Sequence, residues 1–149
     1  MKRVVFIVIT IFWAGLILYL SFEKGPETAN TSMRLTHFLT GLFYDGEPPY
    51  EVLMLWDGYF RLAAHFVLFF LYGIWAVIGL EEWSHKLGLS FLAALISGIG
   101  LAVLSEVGKL LVEGRHCDFG EMRLNIAGVA AGCLATAGII RLIHIVKKR

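Results

Sequence analysis

The stretch Leu87–Gly132, LGLSFLAALISGIGLAVLSEVGKLLVEGRHCDFGEMRLNIAGVAAG, runs from one apolar segment through a charged connector into another. Leu87–Ser105 carries no charge before Glu106 interrupts it; Leu124–Ile140 is apolar, rich in Gly and Ala, and ends at Arg141. Crossing the roughly 30 Å hydrocarbon core of a bilayer takes about 20 residues of helix. Backbone exposed to lipid must satisfy its own hydrogen bonds, so two such runs around a polar connector predict an antiparallel pair of membrane helices.

Two more runs lie upstream. Val4–Phe22 has no charge, and Leu62–Leu80 has only His65. The 149 residues amount to one domain, and with 58% hydrophobic residues and a mean hydropathy of +0.73 they belong in a bilayer. A net charge of +1 without a basic stripe argues against a nucleic-acid partner. The expected fold is all-α: a polytopic four-transmembrane-helix bundle, a single domain 1–149, with spans near 4–22, 60–80, 87–112 and 124–146. The first run starts with Lys2 and Arg3 like a signal peptide, but its apolar core is too long and no A-x-A site follows, so it reads as a retained span. Cys117 and Cys133 sit in different settings, connector and last helix, and predict no disulfide.

Lys2 and Arg3 precede the first span, and Lys147, Lys148 and Arg149 follow the last. Basic residues favour the cytoplasmic side, and four spans bring both termini to one side. The expectation is a multi-pass protein of the cytoplasmic membrane with both termini and the EEWSHK turn inside. The loop 23–58 and the charged connector then lie outside. Within that loop Leu35, Phe38, Leu39, Leu42 and Phe43 recur at helical spacing, with Thr31 or Ser32 as N-cap and DGEPP as the stop. This predicts an extracytoplasmic interfacial helix near 32–44, either packed on the bundle or serving as a lid. Gly128 and Gly132, with Ala94, Gly98 and Ala102, predict close packing of the last two spans.

Several ionisable groups lie in or beside the spans. Arg61 and His65 are four apart on one helix face, Glu106 and Lys109 are three apart on another, and Asn125 opens the last span. In an antiparallel bundle they converge at one depth, on the outer side. Charge at membrane depth costs several kcal/mol unless paired or hydrated, which makes these groups functional candidates. The plainer alternative is a salt-bridged clamp, but buried ion pairs often gain nothing over apolar packing. Arg61, Lys109 and Arg115 suit a phosphate or carboxylate, and His65 with Glu106 suits general acid–base chemistry. His65, Glu106, His116, Asp118 and Glu121 are potential metal ligands, but no tight H-x-x-x-H or C-x-x-C spacing supports a site. No metal and no cofactor is therefore assigned. Cys117 beside His116 lacks the geometry expected of a thiol nucleophile.

Three segments resemble the VanZ-like family of small bacterial membrane proteins. LYLSFEKGP (18–26) resembles a stretch with Ser, a polar residue and Gly/Pro, which adds Ser21 to the candidates. DGYFRLAAHFVLFFLYG (57–73) resembles a basic-x-x-x-His-Phe element, giving Arg61 and His65. SEVGKLLVEGRHCDFGEMRLNIAGVAAG (105–132) resembles the longest element, giving Glu106, Gly114, Arg115, Glu121, Asn125, Gly128 and Gly132. Family members usually carry Gln at the position of Lys109 and Asp at that of Glu121. The resemblance implies an envelope role at the outer membrane–water interface, and the founding member is associated with resistance to teicoplanin, a lipid-tailed antibiotic.

The crowded connector is thus expected to close the outer mouth of a polar pocket. Arg115 and Glu121 would face inward, Glu113, His116 and Arg123 would be solvated, and Asp118 would lie between. The first reading is a membrane-embedded hydrolase or transferase acting on the head group of a lipid or lipid-linked envelope precursor. In it His65 and Glu106 move protons, Arg61, Lys109 and Arg115 hold an anion, Glu121 and Asn125 orient them, and Asp118 and Ser21 are further substrate-binding candidates. The second is a non-catalytic binder of a lipid or acylated antibiotic, or a modulator of an envelope partner. A proton-coupled carrier fits poorly, because the polar groups cluster on one side instead of lining a path.

Overall fold

A computed structural model describes residues 2–44 and 46–148. Asp45 of the DGEPP stop and Arg149 of the C-terminal basic cluster lie outside the described residues. The chain forms α1 (Lys2–Ser21), α2 (Gly25–Gly41), α3 (Tyr50–Ser84), α4 (Leu87–Gly108), a 3-10 turn (Lys109–Leu111) and α5 (Phe119–Val146). No strand occurs among the described residues, and α1, α3, α4 with its 3-10 turn, and α5 are each long and apolar enough to cross a membrane.

The boundaries differ from expectation at three places. α2 starts at Gly25, not near Ser32, because Pro26 occupies its first turn, where a missing N–H costs nothing. Ser32 and Thr36 are consequently mid-helix, and both hydroxyls donate to Asp57 Oδ1. α3 reaches back to Tyr50, ten residues before the expected span: Asp57–Gly58 does not break it, and Pro49 is the stop. Its 35 residues measure about 52 Å, so roughly four turns of it extend beyond a 30 Å core. α5 begins at Phe119, with Asp118 as N-cap, which puts Asn125 in the second turn and not at the opening.

α3 is the hub, packing on α1, α2, α4 and α5. Its closest neighbour is α5, and glycine explains the approach. A Cβ at Gly128 would fall 2.6 Å from the Phe66 carbonyl oxygen, and one at Gly73 would fall 2.7 Å from that of Val129. A Cβ at Gly132 would collide with the Phe70 carbonyl. The Gly128/Gly132 step therefore faces α3, whereas the small residues of α4 receive other partners; Gly98, for instance, accommodates Val129 and Tyr72. The core holds Ile17, Phe69, Tyr72, Val77, Ala102 and Val129. Large apolar side chains such as Ile11, Phe12, Ile96, Leu104, Leu134 and Leu142 face outward. Because lipid is as apolar as leucine, such a bundle is held by close packing and by its polar contacts.

The Arg3 guanidinium lies 2.7 Å from His85 Nε2, tying the start of α1 to the α3–α4 turn. The ends of α1 and α4 and the start of α5 gather at the opposite end, where α2 packs on the extended start of α3. On α2 the buried face is Thr36 and Thr40, while Leu35, Phe38, Leu42 and Phe43 stay exposed. The apolar stripe thus points away from the bundle, and the hydroxyl face packs on it.

Candidate functional site

At that end, four elements bring the ionisable groups into one ring. α3 supplies Arg61 and His65, and α5 supplies Glu121 and Asn125, each pair one helical turn apart. The close glycine contact between α3 and α5 begins one turn beyond Asn125, so it sets how near the two pairs stand. The end of α4 supplies Glu106, and the 3-10 turn supplies Lys109.

Glu106 (0% exposed), Lys109 (1%) and Asn125 (0%) form the buried floor. Lys109 Nζ donates to Glu106 Oε1 at 2.8 Å and Oε2 at 2.9 Å, and to Glu121 Oε2 at 2.6 Å. Asn125 Nδ2 donates to Glu106 Oε1 at 3.2 Å, and the Asp118 backbone N–H donates to Glu106 Oε2 at 3.4 Å. With its NH2 committed to Glu106, Asn125 presents Oδ1 to His65 Nδ1 at 3.2 Å. His65 Nδ1 is therefore the donor. His65 Nε2 then lies 3.3 Å from Glu121 Oε2. Nε2 thus keeps its lone pair toward the carboxylate, and the Lys109 ammonium, bonded to the same oxygen at 2.6 Å, offsets the repulsion. Arg61, the outermost member, lies 3.5 Å from Glu121 Oε1.

The expected partner of His65 was Glu106. In the structure the two are bridged by Asn125, and the carboxylate facing the imidazole is Glu121. His65, Glu106 and Glu121 each offer a ligand atom within 4.8 Å of the others, a set that could hold a metal ion and that sequence spacing did not reveal. The Lys109 ammonium bonds both carboxylates and supplies positive charge there. His116 and Asp118 do not belong to this set.

Asp118 is the N-cap of α5, its Oδ1 accepting from Gly120 N at 2.6 Å and Glu121 N at 3.3 Å. Those two backbone donors hold its carboxyl below the usual carboxylate range. Ser21 is buried, and its hydroxyl donates to the Ile17 carbonyl at 2.8 Å. Glu113, His116 and Arg123 are exposed.

Two cavities adjoin the ring. One of about 380 Å³ is polar, lined by Arg61, Lys109, Arg115, His116, Asp118 and Glu121, with Gly25 and Pro26 over it. The other, about 240 Å³, is largely apolar, lying between α1, α2 and α3 against Ile17, Leu20, Ser21, Leu35, Phe60 and Leu68. Arg61 and Arg115 line both. The start of α2 rests on the connector: Gly25 N donates to the Glu113 carbonyl at 3.5 Å, and a Cβ at Gly25 would meet the Gly114 carbonyl. Gly114 has φ +73°, open mainly to glycine. This contact between two glycines far apart in sequence seats Arg115 at the boundary of the cavities. Sequence reasoning missed Asp57, which anchors α2, and Glu23 and Phe60 in the apolar cavity; Pro26 was the one local signal for the true start of α2.

Four spans, an α2 laid across one end and a buried ionic ring define a small polytopic membrane protein with a polar centre at one end of its bundle. A family model described as VanZ/LLP1 matches residues 6–142, and the chain belongs to that family. No curated protein and no solved structure matches the chain.

Proposed function

We propose that the protein is a membrane-embedded enzyme acting on the head group of a lipid or lipid-linked envelope precursor. The observation that carries this reading is the His65–Glu121 pair. The His65 tautomer is set from behind by Asn125 and Glu106, and His65 and Glu121 each line one of the two cavities that share Arg61 and Arg115. In this role His65 Nε2 receives the proton of the attacking water or hydroxyl and returns it to the leaving oxygen. Glu121 balances the imidazolium formed in between. Glu106 is the buried anchor that keeps Asn125 and Lys109 in place, and Arg61 and Arg115 hold the anionic part of the substrate. The basic residues at both termini support a cytoplasmic-membrane location with the termini inside and this site on the extracytoplasmic face.

A binder reading rests on a different observation. Among the described residues no buried side-chain N or O lacks a partner, so the ring is fully satisfied at rest. Mass spectrometry of the purified protein in native-like lipid, incubated with total envelope lipids, separates the two. The expected result is one lipid species that changes mass with the intact protein and not with His65→Ala, while both proteins remain folded in the bilayer. A species that co-purifies unchanged with both, or full activity of His65→Ala, refutes the catalytic roles.

A further inference from the structure

Lys109 has three N–H bonds to give, and all three are made, to Glu106 and Glu121. Arg61 makes one contact, at 3.5 Å, and its side chain is 41% exposed. Arg115 makes no side-chain hydrogen bond or ion pair among the described residues. The cationic capacity left over in the site is therefore in Arg61 and Arg115, the two arginines shared by both cavities.

Two of the three carboxylates on the same walls are committed. Glu121 is held by Lys109 and Arg61, and Asp118 is spent on the start of α5. Glu23 lines the apolar cavity beside the α2 hydroxyls. Counted once over both cavities, with histidines neutral, three positive side chains stand against three negative ones. What is left for an anion is therefore not a net charge but the uncommitted guanidiniums of Arg61 and Arg115. The apolar cavity has Arg61 and Arg115 against Glu23. The polar one has Arg61, Lys109 and Arg115 against Asp118 and Glu121.

Resting on the functional reading above, we infer that the ligand is an amphiphile in which a phosphate or diphosphate joins an apolar tail to a polar head. The anionic linkage sits between Arg61 and Arg115, the head fills the polar cavity, and the tail leaves through the apolar one. The position of the charge excludes the obvious alternatives. A fatty-acid carboxylate would end at the arginines and leave the polar cavity of about 380 Å³ empty. An uncharged glycolipid would put no anion at either guanidinium, whose planar fork matches phosphate oxygens. The tail also has a way out to the bilayer, since α1 and α2 each pack on α3 but scarcely on one another. Glycerophospholipids and sugar-bearing polyprenyl diphosphates share this chemistry.

Native mass spectrometry of the full chain in detergent tests the inference with four probes: phosphatidylglycerol, a sugar-bearing undecaprenyl diphosphate, diacylglycerol and glycerol phosphate. One or both of the phosphate-bearing amphiphiles should be retained, and whichever it is names the source. Diacylglycerol, which lacks the phosphate, and glycerol phosphate, which lacks the tail, should not be. Arg115→Ala should weaken retention on the order of ten- to a hundredfold, and Arg115→Lys should restore part of it. Because the Arg115 side chain makes no hydrogen bond or ion pair among the described residues, the circular dichroism of both variants should match the parent. Diacylglycerol retained as well as the phosphate-bearing lipids, or retention indifferent to Arg115→Ala, overturns the inference. Retention that persists in His65→Ala without any turnover leaves this ligand class standing and removes only the enzymatic reading.

Discussion

Replacing Lys109 with methionine removes the ammonium at the centre of the ring while keeping the length and apolar stem of the side chain. Three bonds of 2.6 to 2.9 Å disappear. Glu121 can compensate through Arg61, which is partly exposed and free to close its 3.5 Å gap. Glu106 cannot, because it is 0% exposed and is left with only Asn125 Nδ2 and the Asp118 backbone N–H. Removing one partner of a buried ion pair typically costs about 3–5 kcal/mol. Ordinary side-chain hydrogen bonds within membranes average only about 0.6 kcal/mol, because the unfolded chain in the bilayer finds other partners. The measured loss therefore distinguishes a desolvated charge from a replaceable polar contact. Equilibrium unfolding in mixed micelles with rising SDS, followed by the fluorescence of the 4 tryptophans, should show a loss of about 3 kcal/mol or more. Glu106→Gln combined with Lys109→Met removes the orphaned charge. The double variant should be more stable than the sum of the single effects predicts, by about 2 kcal/mol. A loss near 0.6 kcal/mol with additive single effects would refute the reasoning.

Other perturbations probe different parts of the same architecture. Gly128→Leu should force α5 off the Phe66 carbonyl, costing about 1–3 kcal/mol and separating His65 from Asn125; spin-label distances between α3 and α5 should lengthen relative to the parent. Asp118→Ala should destabilise the start of α5 by about 1 kcal/mol near neutral pH. The folded-state carboxyl lies below its ordinary range, so its contribution is present above that range and lost as pH falls through the lower folded value. The parent and variant unfolding curves should consequently converge in acid; a gap that stays constant down to the most acidic pH at which the protein folds would mean the cap is not ionic.

The four spans were legible in the sequence because hydropathy over about 20 residues is a one-dimensional property: lipid forces each segment to close its own hydrogen bonds. The convergence of Arg61, His65, Glu106, Lys109 and Asn125 was legible for a related reason, since helical periodicity fixes which residues share a face and antiparallel spans bring one set of ends together; Glu121 entered through the family resemblance. Element boundaries were less so. The extended start of α3 carries Asp57, whose carboxylate accepts from Ser32 and Thr36, contacts that only α2 in place can provide.

Pairing within the ring was beyond any reading of spacing. His65 sits closer along the chain to Glu106 than to Glu121, yet faces Glu121, because Gly128 and Gly132 let α5 approach α3 more closely than α4 does. The three-residue His65–Glu106–Glu121 cluster arises the same way, from ligands on three helices with no local signature. Arg115 reached the boundary of two cavities through a backbone contact between Gly25 and Gly114. By itself the sequence determined which segments enter the membrane and which polar residues they carry at one end, because local periodicity and solvent alone decide those. Which carboxylate meets the histidine, and which arginines remain free for an anion, was decided by the tertiary structure, because backbone approach distances set by small residues on different helices have no counterpart along the chain.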